Sequence, residues 1–293
     1  MRSKTPPPDM ASIRAYFDGA QQRVFTPDEL NNQFQEQRAK WRWSGSFSDF
    51  LDYMFINTSL HQLNLKSERG GSAWRYAWGE PRLYELALSL ARRSYVSHGS
   101  ALVLHGLATP STTVIVNTEQ SPKPEPSGPL LQHAIDAAFA RSQRVSTNAY
   151  VLGDQRFLIL NGKHTALFGV TPREAPDGSV IPATNLERTL VDIVVRPEYA
   201  GGPGQILSAY INAKPMIDVS ALLNVLRRLG HKYPYHQCVG LFLKLSGWDS
   251  AILQPLKELP LNFDFYVAHA VQEPLYDPEW RVYYPNQLHG APS

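Results

Sequence analysis

Between Phe47 and Trp78 the apolar residues change their spacing from three-and-four to two. Phe47, Phe50, Leu51 and Met54 stand at i, i+3, i+4 and i+7, one face of a helix. Leu63-Asn-Leu-Lys-Ser67 and Ala73-Trp-Arg-Tyr-Ala-Trp78 instead alternate apolar and polar, as half-buried strands do, across a turn at Glu68-Arg-Gly-Gly71. Two further helices precede this switch. Ile13, Tyr16 and Phe17 mark one, and Thr26-Pro27-Asp28-Glu29 starts the other with a cap, a proline at the first turn and two acids at the positive end of the dipole. Three helices followed by a two-stranded ribbon predict a winged helix-turn-helix over residues 1–80, and the rest of the chain predicts a larger mixed α/β domain over 81–293. The fold class expected is α+β.

A length of 293 residues suggests about two domains. A hydrophobic fraction of 43% and a net charge of +2 argue against a disordered chain. A single cysteine, Cys238, excludes an intrachain disulfide and a Cys-rich zinc site, and its place on an apolar helix face reads as packing. No apolar run approaches the ~18–20 residues of a membrane helix, and Met1 to Pro8 reads as a short lead-in without a secretory core. A cytoplasmic protein with no membrane partner and no cofactor is expected.

The case for nucleic acid is a charge count. Nine basic residues lie between Arg38 and Arg93 against five acids, so this segment is net +4 while the whole chain is +2. Arg38, Lys40 and Arg42 precede the third helix, and Lys66, Arg69 and Arg75 lie on the ribbon, where a wing meets backbone phosphates. Ser48, Asp49 and Tyr53 are the candidates on the third helix to face bases. The same cluster also fits a solvated face, and three-helix units also mediate protein contacts. Asp49 and Asp52 repel phosphate, although an acid can accept from cytosine N4.

Beyond residue 80, Tyr95 to Leu107 reads as a capped helix carrying His98 and His105. Seven residues place them about 10.5 Å apart along the axis, too far to share a metal, so internal hydrogen bonding is expected. Thr112 to Val116 reads as a strand, Glu119 to Pro129 as a Pro-rich extended loop, and Leu130 to Ala140 as a helix. Arg156 to Leu160 and His164 to Val170 read as a hairpin through Asn161-Gly162. Thr184 reads as the cap of a helix ending at Arg196-Pro197, and Arg188 between Glu187 and Asp192 reads as an internal ion pair. Gly201-Gly-Pro-Gly204 lacks the Lys-Ser/Thr of a phosphate loop and reads as a turn before a helix. Strands are expected at Phe263 to Val267 and Arg281 to Tyr284.

Zinc-binding His-Glu-x-x-His, a Gly-x-Ser-x-Gly elbow and Gly-x-Gly-x-x-Gly are all missing from the sequence, which favours a non-enzyme. Two rivals stay open. One is a metal-dependent nuclease with a DNA-binding head, using Glu187 and Asp192; the other is an interaction protein that sequesters a toxin.

Several longer segments resemble the AbiEi antitoxins of bacterial type IV toxin–antitoxin systems. They are Tyr95-Val-Ser-His-Gly-Ser-Ala-Leu-Val-Leu-His-Gly-Leu107, Thr184-Asn-Leu-Glu-Arg-Thr-Leu-Val-Asp192, Val195-Arg-Pro-Glu-Tyr-Ala-Gly-Gly202, Tyr233-Pro-Tyr-His-Gln237 and Trp280-Arg-Val-Tyr-Tyr-Pro285. They keep family order. The resemblance implies a winged helix that binds double-stranded operator DNA at inverted repeats and represses its own operon. It also implies a C-terminal domain that counteracts a nucleotidyltransferase-like toxin without a stable complex, with no catalytic residue to carry over. Asp49 and Asp52 depart from the basic recognition helix that such a role favours.

Overall fold

The computed structural model describes residues 8–122, 124 and 128–289. Residues 1–7 of the lead-in expected over Met1 to Pro8, and positions 123 and 125–127 of the Pro-rich stretch, lie outside them. In chain order the first part runs α1 (Met10–Gly19), β1 (Val24–Phe25), α2 (Pro27–Gln37), α3 (Phe47–Asn57), β2 (Leu60–Ser67) and β3 (Ser72–Trp78). It continues through α4 (Leu83–Ser89), β4 (Tyr95–Val96), α5 (His98–Leu104), β5 (Thr113–Glu119), α6 (Gln132–Phe139), β6 (Ala149–Leu152), β7 (Gln155–Gly162), β8 (Val170–Glu174) and β9 (Val180–Thr184). The last part is α7 (Leu186–Val195), α8 (Pro203–Ala213), α9 (Val219–Leu229), α10 (Tyr235–Leu245), α11 (Gln254–Lys257), β10 (Phe265–Tyr266), β11 (Leu275–Asp277) and β12 (Val282–Tyr284).

The architecture is mixed α/β. Nine strands form one sheet in the order β1-β3-β2-β6-β7-β5-β4-β9-β8, and β10-β12-β11 form a second. The sheet is mixed in direction: β5 runs parallel to β7 and β4 parallel to β9, while the other pairs are antiparallel. Parallel neighbours need crossover connections, which is why helices and long excursions separate them in the sequence.

The described residues form four apolar clusters on this frame, one of which joins Val24 and Leu65 to Val96, Val114, Phe157 and Ile181 across the sheet. Ile13, Phe17, Phe25, Leu30, Phe34, Trp41, Phe50, Met54 and Trp78 form an aromatic core entirely within residues 10–78. Trp41 stacks on Phe50 at 5.6 Å between ring centres, and Phe17 on Trp78 at 5.0 Å. Each such ring adds about 1.5–3 kcal/mol through burial, so the head needs no staple. A larger core gathers α7, α8, α9 and α10 with Trp280 and Val282 of the small sheet.

Several sequence expectations are corrected. The residues 156–160 and 164–170 do not form a hairpin. β7 is already paired on both edges, by β5 and β6, and residues 165–168 turn away with Ala166 and Leu167 at positive φ. Gly162 instead allows close approach, since a β-carbon there would stand 2.9 Å from the Asn117 amide. Tyr95 to Leu107 divides into β4 and α5, because Val96 pairs with Val116 before the chain turns at His98. Thr184 ends β9, and Asn185 is the cap of α7, its side chain accepting from the Arg188 amide at 2.9 Å.

Helix α10 meets the turn before β12 at one glycine. Gly240 lies in α10 beneath the Trp280 ring, and a β-carbon there would come within 2.2 Å of the indole. Gly240→Ala is therefore expected to cost about 3 kcal/mol, at the top of the overpacking range, measured by urea unfolding. A loss under about 0.5 kcal/mol would contradict this packing.

Candidate nucleic-acid interface

Thr26 and Glu29 close a reciprocal cap on α2: the hydroxyl accepts from the Glu29 amide at 3.2 Å and the carboxylate from the Thr26 amide at 2.8 Å. Ser46 and Asp49 do the same for α3. Phe50 and Met54 turn α3 inward, leaving Ser48, Asp52, Tyr53, Ile56 and Asn57 on its outer side. Tyr53 is 37% exposed with its ring edge-on to Trp43, and Ile56 is 82% exposed. The expectation for Asp49 is corrected. Its carboxylate accepts from both the Ser46 hydroxyl at 2.7 Å and the Ser46 amide at 2.8 Å, which holds it below the usual carboxylate range. It caps the helix that was to carry it to bases.

The basic residues ahead of α3 face outward because their neighbours face in. Trp41 and Trp43 are buried, so Lys40 and Arg42 project to solvent on either side of Trp41. Arg42 sits at φ +54, a sharp left-handed bend. Arg38 is half-buried, its guanidinium 5.5 Å above the Phe34 ring.

The hairpin is fastened at its tip. Lys66 and Arg69 are exposed, as expected, but β2 continues into pairing with β6 at Lys66–Val151 and Ser67–Tyr150. The Glu68 amide donates to Ala149 O at 2.9 Å, and Arg69 Nε donates to Thr147 Oγ1 at 3.0 Å. Arg156 grips the Glu68 carboxylate through Nε and Nη2 at 2.5 and 2.9 Å. The expectation for Arg75 is also corrected. Its side chain turns to the opposite face, where it donates to Ser89 Oγ at 2.8 Å, Ser89 O at 2.7 Å and Trp74 O at 2.6 Å. Only 9% exposed, it ties the hairpin to α4. Trp74, which the sequence reading passed over, is 45% exposed on the face that also holds Lys66.

The segments singled out beyond residue 90 pack together where α5, α7, α10 and the turn at 197–200 meet. The ion pair read from the sequence is there: Arg188 Nε donates to both Asp192 oxygens at 2.8 and 2.9 Å, and Nη1 donates to Phe168 O at 2.7 Å. Burial pushes the Asp192 carboxyl up against the pull of Arg188. Glu187 and Asp192 are five residues apart, about 140° around the helix, so the two carboxylates do not converge. Glu119 at the end of β5 accepts the Thr165 and Leu167 amides, each at 2.9 Å, and faces His164 at 3.2 Å. His105 bridges Thr184 O and Arg173, and His98 meets Ser97 Oγ at 2.8 Å. Burial, aided by Arg196 and Arg188, lowers His98 to about 3, so this ring is neutral at physiological pH. Cys238 is buried, its thiol pushed up by that burial. Among the described residues no three His, Cys, Asp or Glu side chains converge to hold a metal, and no helix is long and apolar enough to cross a membrane.

Asp192→Ala strands the Arg188 charge and is expected to cost about 3–5 kcal/mol of unfolding free energy. The double change Arg188→Met with Asp192→Leu restores most of it. Denaturant curves that rank the double variant below Asp192→Ala would contradict a purely structural role for the pair.

No family model and no curated protein matches this chain. Its fold is similar to that in the crystal structure of the RV2827C protein from Mycobacterium tuberculosis. The likeness covers 94% of this chain and 90% of that one, with a TM-score of 0.55 at 17% sequence identity. At that identity, what the two share is the fold.

Proposed function

We propose that residues 10–78 form a winged helix that binds duplex operator DNA, and that the chain is an AbiEi-type antitoxin repressing its own operon. The observation that supports this reading is the order α1-β1-α2-α3-β2-β3 with β1 added outside β3, an order compatible with a winged helix. In this reading α3 enters the major groove with Ser48, Asp52, Tyr53 and Ile56 toward the bases. Arg38, Lys40 and Arg42 grip phosphates beside it, and Lys66 and Arg69 do so from the hairpin. An acid on the recognition face suits cytosine, whose N4 amine donates, so Asp52 selects bases at the expense of overall affinity.

The larger body counteracts a nucleotidyltransferase-like toxin without a stable complex. That part is supported by the sequence segments that resemble the AbiEi antitoxins, three of which, in α5, α7 and the turn at 197–200, contact one another. The buried polar groups there are mostly occupied by one another, which suits a framework better than a reaction centre.

Fluorescence anisotropy with the DNA upstream of the chain's own gene tests the interface. With a slope near −0.9 per phosphate contact, Lys40→Glu combined with Arg42→Asn flattens the log K against log salt plot by about 2. Asparagine is chosen at 42 because it tolerates the left-handed bend. An unchanged slope removes this flank from the interface, and no binding at low salt removes the reading.

A further inference from the structure

Strand register draws a line across the sheet that the duplex reading does not use. Ser72 of β3 pairs with Lys66 of β2, Lys66 with Val151 of β6, Val151 with Arg156 of β7, and Arg156 with Thr113 of β5. Paired residues point to the same face, and at about 4.8 Å per strand the line spans about 19 Å. Trp74 stands on this face two residues from Ser72, directly opposite Asn64. Farther along β3 on the same face, Tyr76 and Trp78 are covered by the helices of the head, whereas Trp74 is left 45% exposed.

At its other end the line reaches a cavity of about 820 Å³, whose walls include Thr113, Ile115, Arg156, Leu158, Ser146 and Tyr199. That volume suits a small organic group. The charges along the way are asymmetric. Lys66, Arg69 and Arg144 are exposed, Arg156 is matched by Glu68, and Asp154 at the β6–β7 turn is an exposed acid. The cavity also contains Glu80, Asp177 and Glu198, which repel phosphate there but leave a neutral base unopposed.

We infer that this face binds a single-stranded nucleic acid, with one base stacked on Trp74, the backbone crossing Lys66 and Val151, and a second base entering the cavity beyond Arg156. Three features fit that ligand together. An exposed indole offers a stacking surface that any base can use, a flanking lysine meets the backbone, and a cavity whose walls combine apolar side chains such as Ile115 and Leu158 with polar ones accepts an unstacked base. A duplex cannot use them, since its bases are already stacked. The inference goes beyond the operator reading, because it concerns the hairpin face and cavity and does not require α3 to bind DNA.

Anisotropy at low salt with a labelled oligothymidylate and a labelled oligouridylate, alongside the operator duplex, tests it on the full chain. Both single strands are expected to bind, and their ratio shows whether the sugar is read. Trp74→Ala is expected to weaken them about tenfold while Trp74→Phe stays within about twofold. Val151→Glu, which places a carboxylate at the centre of the line, is expected to weaken them to a similar degree, with circular dichroism showing that each variant folds. The most exposed tryptophan is also expected to be quenched on binding in the wild type and silent in Trp74→Phe. If the duplex binds and neither strand does, or if Trp74→Ala changes nothing, the inference is overturned and the operator reading stands. Self-association that Trp74→Ala abolishes, without oligonucleotide binding, would make the face an interface between copies and also overturn it. If strands and duplex are both ignored, both readings fall.

Discussion

The pairing of β2 with β6 at Lys66–Val151 and Ser67–Tyr150 decides what kind of molecule this is. Apart from it, the three-helix head and the larger α/β body share an apolar cluster in which Val24 and Leu65 pack with Leu86, Val96, Val114, Phe157 and Ile181. With it, the hairpin that packs under the head is also a strand pair of the body's sheet, and the sheet runs unbroken through nine strands. The Glu68–Arg156 pair and the Arg69–Thr147 bond add little energy, because both are partly exposed. Their effect is geometric: they keep the tip in register with its neighbour.

This attachment shapes the proposed function. A wing that moves freely can adjust to the groove it meets, whereas a wing built into a larger sheet is held at one angle to α3. Under the operator reading, whatever alters the body near β6 and β7 is felt at the DNA-binding head. The cavity beside Arg156 lies at this joint. The Arg188–Asp192 pair has the opposite character: both side chains are buried and bonded to each other.

How much of this was legible depends on how local the cause is. The caps at Thr26 and Ser46 act over three residues, and the helical stripes and hairpin alternation act over fewer than ten, so the three helices and the ribbon could be read directly. β4, at two residues, exists because of partners many residues away, and no local period announces it. The hairpin expected through Asn161-Gly162 failed for the same reason: strand β5, some forty residues upstream, already occupies that edge. β6 is local, the first arm of a two-residue hairpin turning at Gly153-Asp154, a signal the sequence analysis did not use. At the proposed interface, Lys40, Arg42, Lys66 and Ser48 are polar residues on predicted surfaces, and they are exposed. Arg75 was misread because alternation places it on a face without saying that α4 covers that face. Trp74 was missed because alternation pairs it with Tyr76 and Trp78 without saying where the helical cover ends.

The central claim is that the outer side of α3 and the basic turn before it meet duplex DNA. Hydrogen–deuterium exchange of the full chain, with and without the DNA upstream of its own gene, measures this most directly. The account predicts slowed exchange over residues 38–57 and little change along α7. Protection confined to the body, with residues 38–57 unaffected by bound DNA, would contradict it.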